Sequence, residues 1–256
     1  MSFLQKIVDK QQQEVAAAKR ERPLACFISD IRPGNGLFRK SLYRSEWSLI
    51  AECKLASPVK GQLCSSQSIT DLARIYTANG AAALSVHTNS HFRGQLIDIA
   101  AVRQVTDLPI LRKDFIVDSY EIYESRYAGA DAVLLIAAIL SESQLTEYLQ
   151  LAGKLGLDCL VEVHSREELQ MVLQTPAELI GINNRDLKTF KTDIRHTFEL
   201  LPECGSDRCI ISESGVRTGE EARRLKAAGV RAVLAGEGLV TAADIDAKVR
   251  ELALLA

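Results

Sequence analysis

In this sequence of 256 residues, lysines and carboxylates fall where apolar runs stop. The first such place is Leu49-Ile50-Ala51-Glu52-Cys53-Lys54. Side chains on a strand alternate faces, so Glu52 and Lys54 share one face and Cys53 takes the other. A Ser57-Pro58-Val59-Lys60-Gly61 loop follows, because proline cannot continue a central strand. The same punctuation recurs. His87 closes Leu84-Ser85-Val86, Lys113 and Asp114 close Ile110-Leu111-Arg112, and Glu162 ends Leu160-Val161. Asn183 and Arg185 close Ile180-Gly181-Ile182, and Glu213-Ser214-Gly215 closes Ile210-Ile211-Ser212. Gly236-Glu237-Gly238 ends the last run. Ammonium and carboxylate groups gathered in one place can pass protons to and from a substrate. If buried, they must pair, and their pKa values must move. The Ser214-Gly215 and Gly236 turns suit a phosphate, which backbone N–H groups at such turns can hold. Singly, each residue has a plainer reading: a surface ion pair for Glu52 and Lys54, a solvated lysine at 113, a helix-start carboxylate at 162, a turn at 183. The recurrence favours a shared site.

Such convergence needs a scaffold. Strands are expected at 49–53, 82–86, 109–111, 132–136, 159–163, 179–182, 209–211 and 232–235, each a buried run. Helical stretches at 68–78, 96–105, 119–128, 141–155, 165–173, 193–201, 218–228 and 242–255 follow them in turn. Ser141-x-x-Gln144, Ser165-x-x-Glu168 and Thr218-x-x-Glu221 read as capping boxes, while Gly80, Gly129, Gly156 and Gly229 read as helix ends. Eight strand–helix units predict a closed, parallel eight-stranded β/α (TIM) barrel, with an open doubly wound sheet as the alternative. The barrel's active site lies at the C-terminal strand ends, where the polar residues fall, and its last two loops often cradle phosphate. Residues 4–20 predict a helix that Pro23 ends; 24–42 reads as irregular. We therefore expect a single domain, with an N-terminal helical extension over 1–47 and the barrel over 48–256.

Composition sets outer limits. A hydrophobic share of 47% and a charged share of 25% fit a soluble enzyme. A net charge of −2 without a basic block argues against nucleic-acid binding. The longest apolar run, 132–140, is too short for a bilayer, and no signal-peptide core opens the chain. A cytoplasmic protein is expected. The six cysteines are scattered and read as free thiols. His87 and His91 lie around a loop-like Thr-Asn-Ser and carry no metal motif; Gly34-x-Gly36 lacks the strand and third glycine of a dinucleotide site.

Five of these segments together resemble the indole-3-glycerol-phosphate synthase family, over about residues 4–252. They are Glu52-Cys53-Lys54 with Ser57-Pro58, Lys113-Asp114-Phe115, Val161-Glu162-Val163, Gly181 to Leu187, and Ile211 to Gly215. The resemblance implies ring closure of 1-(2-carboxyphenylamino)-1-deoxyribulose 5-phosphate, with loss of carbon dioxide and water. It implies Lys113 as the acid at the ketone, and Glu162 with Lys54 in the loss of water. Glu52 and Asn183 would position these groups, Ser214 would hydrogen-bond in the site, and Arg185 and Glu213 would brace the charges. Ser57 would contact substrate, the phosphate would sit near Gly215 and Gly236, and Phe92 and Phe115 would wall the aromatic ring. No metal or cofactor is implied, and the only partner is the phosphorylated substrate, on a monomer or weak homodimer. No isomerase domain is expected beyond Ala256. Val59, the His87-Thr88-Asn89 segment and Gly238 depart from the usual family pattern, which bears on substrate fit. A lysine Schiff-base aldolase on the same fold, or a non-catalytic binder of a phosphorylated ligand, are the rival readings.

Overall fold

The computed structural model describes residues 3–57, 61–64, 66–186 and 189–255. Eight strands form a closed, all-parallel barrel: β1 (Ser48–Cys53), β2 (Ala83–His87), β3 (Ile110–Lys113), β4 (Ala132–Ile136), β5 (Asp158–Val163), β6 (Leu179–Asn183), β7 (Cys209–Glu213) and β8 (Ala232–Ala235). Each pairs with its sequence neighbour, and β1 closes on β8 with Ile50 opposite Leu234. The barrel prevails over the open sheet because seven crossovers between successive parallel strands, of the one hand such connections favour, bring the last edge back to the first.

Period two decides what each strand presents. On β1, Leu49, Ala51 and Cys53 join the outer layer beneath the helices, while Ile50 packs inside the barrel. Leu111, Leu160 and Ile211 also face inward, and Val161 and Ile210 outward. Two residues further along, the inward positions are Glu52, Lys113, Glu162 and Glu213. The strand period therefore delivers all four charged groups to the C-terminal mouth.

Helices α1 (Phe3–Glu21) and α2 (Leu37–Leu42) precede the barrel. The first matches expectation. The second lies inside a stretch read as irregular, and it closes the opposite end of the barrel with Phe38 and Leu42, both fully buried among the interior strand residues. The Arg39 backbone N–H donates to Asp158 at 2.8 Å, tying α2 to the start of β5.

Around the barrel run α3 (Ile69–Ala78), α4 (Ile97–Arg103), α5 (Ser119–Tyr127), α6 (Glu142–Lys154), α7 (Arg166–Leu173), α8 (Arg195–Leu200), α9 (Gly219–Ala227), α10 (Glu237–Val240) and α11 (Ile245–Leu252). The boxes at Ser141 and Thr218 form in full. At Ser165 the serine caps Glu168 N, but the Glu168 carboxylate accepts from His164 N rather than from the cap residue, so the box is half made. Gly80, Gly129, Gly156 and Gly229 all take positive φ just beyond helices. A short antiparallel pairing, Ala56–Ser57 against Gly61–Gln62, was not legible in advance. All six cysteines are free. No helix among the described residues is long and apolar enough to cross a membrane.

Candidate active site

A cavity of about 550 Å³ opens at the C-terminal end of the barrel. Lys113, from the end of β3, lines it. Its Nζ donates to Glu162 Oε2 at 2.8 Å and to Glu213 Oε2 at 2.6 Å. All three are buried. Burial alone would lower the Lys113 pKa; the two carboxylates outweigh it and hold the proton above the ordinary lysine range. Burial raises carboxylates in the same way. At Glu162 the adjacent Lys113 reverses that and drives the pKa well down. At Glu213 burial wins and the pKa rises, since Lys113 is shared with Glu162, whose own charge opposes a second one. Glu213 Oε1 finds no hydrogen-bond partner among the described residues.

Gly181 makes that arrangement possible. A Cβ there would strike Glu213 Oε1. Gly236 does the same for Glu52, whose Oε2 occupies the space of a Cβ. Glu52 accepts from or pairs with His87 Nε2 at 2.8 Å and lies 3.4 Å from Lys54 Nζ. Its burial would raise the carboxyl pKa, but Lys54 and His87 pull it far below the usual range. His87 is itself lowered, chiefly by burial. The His87 ring stacks on Phe92 with centroids 4.3 Å apart, and Phe92 lies 6.4 Å from Phe115. Lys54 Nζ sits 5.1 Å above the Phe92 ring. One wall is therefore flat and aromatic, with a cation at its edge.

The opposite wall is backbone and cations. Ser214 has φ 65° and Gly215 φ 87°, both left-handed. A Cβ on Gly215 would meet Thr192 Cγ2 at 2.5 Å, so only glycine fits without a shift. Gly236 precedes α10 in the same wall. Asn183 accepts from the Arg185 backbone N–H at 3.0 Å, and the Arg185 guanidinium lies 3.8 Å from Glu237. Arg217 and Lys248 also line this side; neither was singled out from sequence, because both lie beyond the strand ends on which that reading depends.

Glu52, Lys54, Lys113, Glu162, Asn183, Ser214, Phe92, Phe115, Arg185, Glu213, Gly215 and Gly236 all line the cavity. The Ser57 side chain, and Val59 in the first loop, lie outside the described residues. Sequence reasoning missed Leu4 and Ile7, through which α1 reaches the same cavity. It also missed His164, whose Nε2 is 3.2 Å from Glu162 Oε1. The Glu-x-His spacing was a usable signal, identical to that of Glu52 and Lys54.

A sequence model described as indole-3-glycerol phosphate synthase matches residues 4–252. The chain belongs to the indole-3-glycerol phosphate synthase family. Members of this family are carboxy-lyases of tryptophan biosynthesis. The indole-3-glycerol phosphate synthase of Desulforamulus reducens is 47% identical over 256 residues, covering 98% of this chain and 96% of its own. That of Alkaliphilus metalliredigens is 42% identical and covers 98% and 97%. The Dehalococcoides mccartyi protein of the same name reaches 50% over 208 residues, 80% of each chain. Among solved structures, 3-hexulose-6-phosphate synthase from Salmonella typhimurium superposes with a TM-score of 0.66 at 13% identity, covering 81% of this chain and 97% of that one. At that identity the likeness concerns the fold alone.

Proposed function

We propose that this cavity closes the indole ring of 1-(2-carboxyphenylamino)-1-deoxyribulose 5-phosphate, with Lys113 as the proton donor. The observation that carries this is the Lys113 ammonium between Glu162 and Glu213, facing a cavity with one aromatic wall and one wall of glycine turns and cations. The carboxyphenyl ring lies against Phe92 and Phe115, with Lys54 near its carboxylate. The phosphate lies at Gly215 and Gly236, where backbone N–H groups and nearby cations offset its charge.

The ring carbon attacks the ketone, whose oxygen gains charge as the new bond forms. Lys113 gives that oxygen a proton. Carbon dioxide then leaves, and aromaticity returns to the ring. Loss of the new hydroxyl as water needs an acid on the oxygen and a base for the departing proton. Glu162, held ionised, suits the base; Lys54, which still carries its proton after Lys113 has given up its own, suits the acid. Glu52 and Asn183 position these groups, Ser214 hydrogen-bonds in the site, and Arg185 and Glu213 brace the charges. Ser57 contacts substrate from the first loop.

A Schiff-base aldolase fits less well. It needs a neutral lysine as nucleophile, whereas Lys113 is clamped in its charged form. Borohydride with the substrate should therefore leave Lys113 unlabelled. Leu4 and Ile7 line the cavity beside barrel residues, which supports reading 1–256 as one domain. A cytoplasmic monomer or weak homodimer that binds neither nucleic acid nor membrane fits the charge of −2. The test of the activity is the fluorescence of indole-3-glycerol phosphate as purified protein consumes the substrate. No fluorescent product would exclude the reaction.

A further inference from the structure

Glu162 has a basic side chain beside each of its oxygens. Lys113 donates to Oε2 at 2.8 Å, and His164 Nε2 stands 3.2 Å from Oε1, at ion-pair distance but outside hydrogen-bond geometry, so its hold on that oxygen is electrostatic. The His164 side chain is only 7% exposed. Its other nitrogen, Nδ1, is 3.5 Å from Glu168 Oε2, and the Glu168 carboxylate is fixed by the His164 backbone N–H at 2.7 Å. Residues 162 and 164 leave β5 on the same side, with Val163 turned into the outer layer. Behind the ring lies a second, polar cavity of about 250 Å³. Its lining sets the carboxylates of Asp186, Asp193 and Glu199 against the cations of Arg185, Lys191 and Arg195. His164 thus stands between the two cavities.

We propose that His164 is a positioning residue for Glu162, whose ring, wedged between the Glu162 and Glu168 carboxylates, anchors Oε1 and turns Oε2 toward Lys113 and the substrate. This rests on the assignment of Glu162 as the base in the loss of water. The need for it follows from the chemistry. When Lys113 gives its proton to the ketone oxygen, Glu162 loses a positive partner at Oε2. A buried carboxylate left alone would take a proton at once and be spent as a base. The His164 cation on Oε1 stays in place through that step, so Glu162 remains ionised until the water-loss step presents its proton. Burial opposes a charged imidazole, but Glu162 and Glu168 outweigh it and push the His164 pKa up to about 10, so the cation persists at neutral pH.

The test compares pH profiles of kcat for wild type, His164→Gln and His164→Lys, with Glu162→Gln as control. Glutamine keeps the polarity and removes the charge; lysine keeps the charge. Losing an opposite charge at this range should raise the acidic limb set by Glu162 by about 1 pH unit or more. His164→Gln should also lower kcat at neutral pH by roughly 10-fold or more, with KM nearly unchanged. His164→Lys should return the limb toward the wild-type position. A carbon-13 titration of the Glu162 carboxyl in the wild-type protein needs no variant, and should show a second inflection near the His164 pKa. An unmoved limb in His164→Gln, or a Glu162 signal blind to His164, overturns the proposal. Loss of activity in Glu162→Gln beside an unaffected His164→Gln would sink this inference alone. Full activity in Glu162→Gln would remove the base assignment and the inference with it.

Discussion

The two ends of the barrel interior are built from the same strands and do opposite work. At the N-terminal end the inward residues are Ile50, Leu111, Leu160 and Ile211, closed off by Phe38 and Leu42 of α2. One inward step along each strand, they become Glu52, Lys113, Glu162 and Glu213. The lower layer is apolar, and its burial stabilises the fold. The upper layer buries charge, which stabilises little and leaves one Glu213 oxygen unmatched among the described residues. The chain thus confines electrostatic strain to one layer and rests it on a packed one.

The largest test of this division is at Lys113. Lys113→Ala should slow turnover by ~10²–10⁴-fold, the usual worth of a general acid. Its effect on stability should be smaller than that of a core deletion, because Glu213, already inclined to bind a proton, can neutralise. Phe38→Ala is the converse. It should cost ~3–5 kcal/mol of unfolding free energy in chemical denaturation, while the folded fraction keeps its kcat. A reversed pattern, with Phe38→Ala folded normally but slow, would break the division. At the wall of Ser214, Gly215 and Gly236, where we place the phosphate, Gly215→Asp introduces a negative side chain. KM should rise roughly 10- to 100-fold, the equivalent of one charge-assisted hydrogen bond, with kcat changed less. An unaltered KM would move the phosphate elsewhere.

The smallest effect is one of pH and stability. Glu213 has a folded pKa raised to about 8 from 4.5, so the folded state holds the extra proton between those values. Its contribution to stability therefore falls as pH climbs through that window. Glu52 is depressed, so its contribution is present above its ordinary value and lost as pH falls below it. Glu213→Gln should accordingly raise Tm at pH 8 relative to wild type, and raise it less at pH 5, while lowering kcat. A Tm that drops at pH 8 would mean Glu213 is a net stabiliser after all.

Most of the barrel was legible because burial on both faces leaves strands as apolar runs, and caps such as Ser141 and Thr218 mark helix starts. The upper layer was legible because a charge two residues past an apolar inward position cannot change face. Helix α2 was not. Its six residues hold too few turns to show periodicity, and the Pro33-Gly34-Asn35-Gly36 turn before it disguises the start. Its two buried residues gain meaning only from the barrel end they fill. His164 escaped for another reason: it lies beyond the strand, next to a capping serine that explains the local pattern by itself. Leu4 and Ile7 read as an ordinary apolar stripe, and only the docking of α1 turns them toward the cavity.

The central claim is that Lys113 and Glu162, 49 positions apart in sequence and 2.8 Å apart in space, work as one unit. A double-mutant cycle on kcat/KM tests it most directly, with Lys113→Ala, Glu162→Gln and the pair assayed for indole-3-glycerol phosphate formation. Groups acting together lose most of their worth when either is removed, so the double variant should be little slower than the worse single one. Strictly additive losses in log kcat/KM would contradict a shared function at this site.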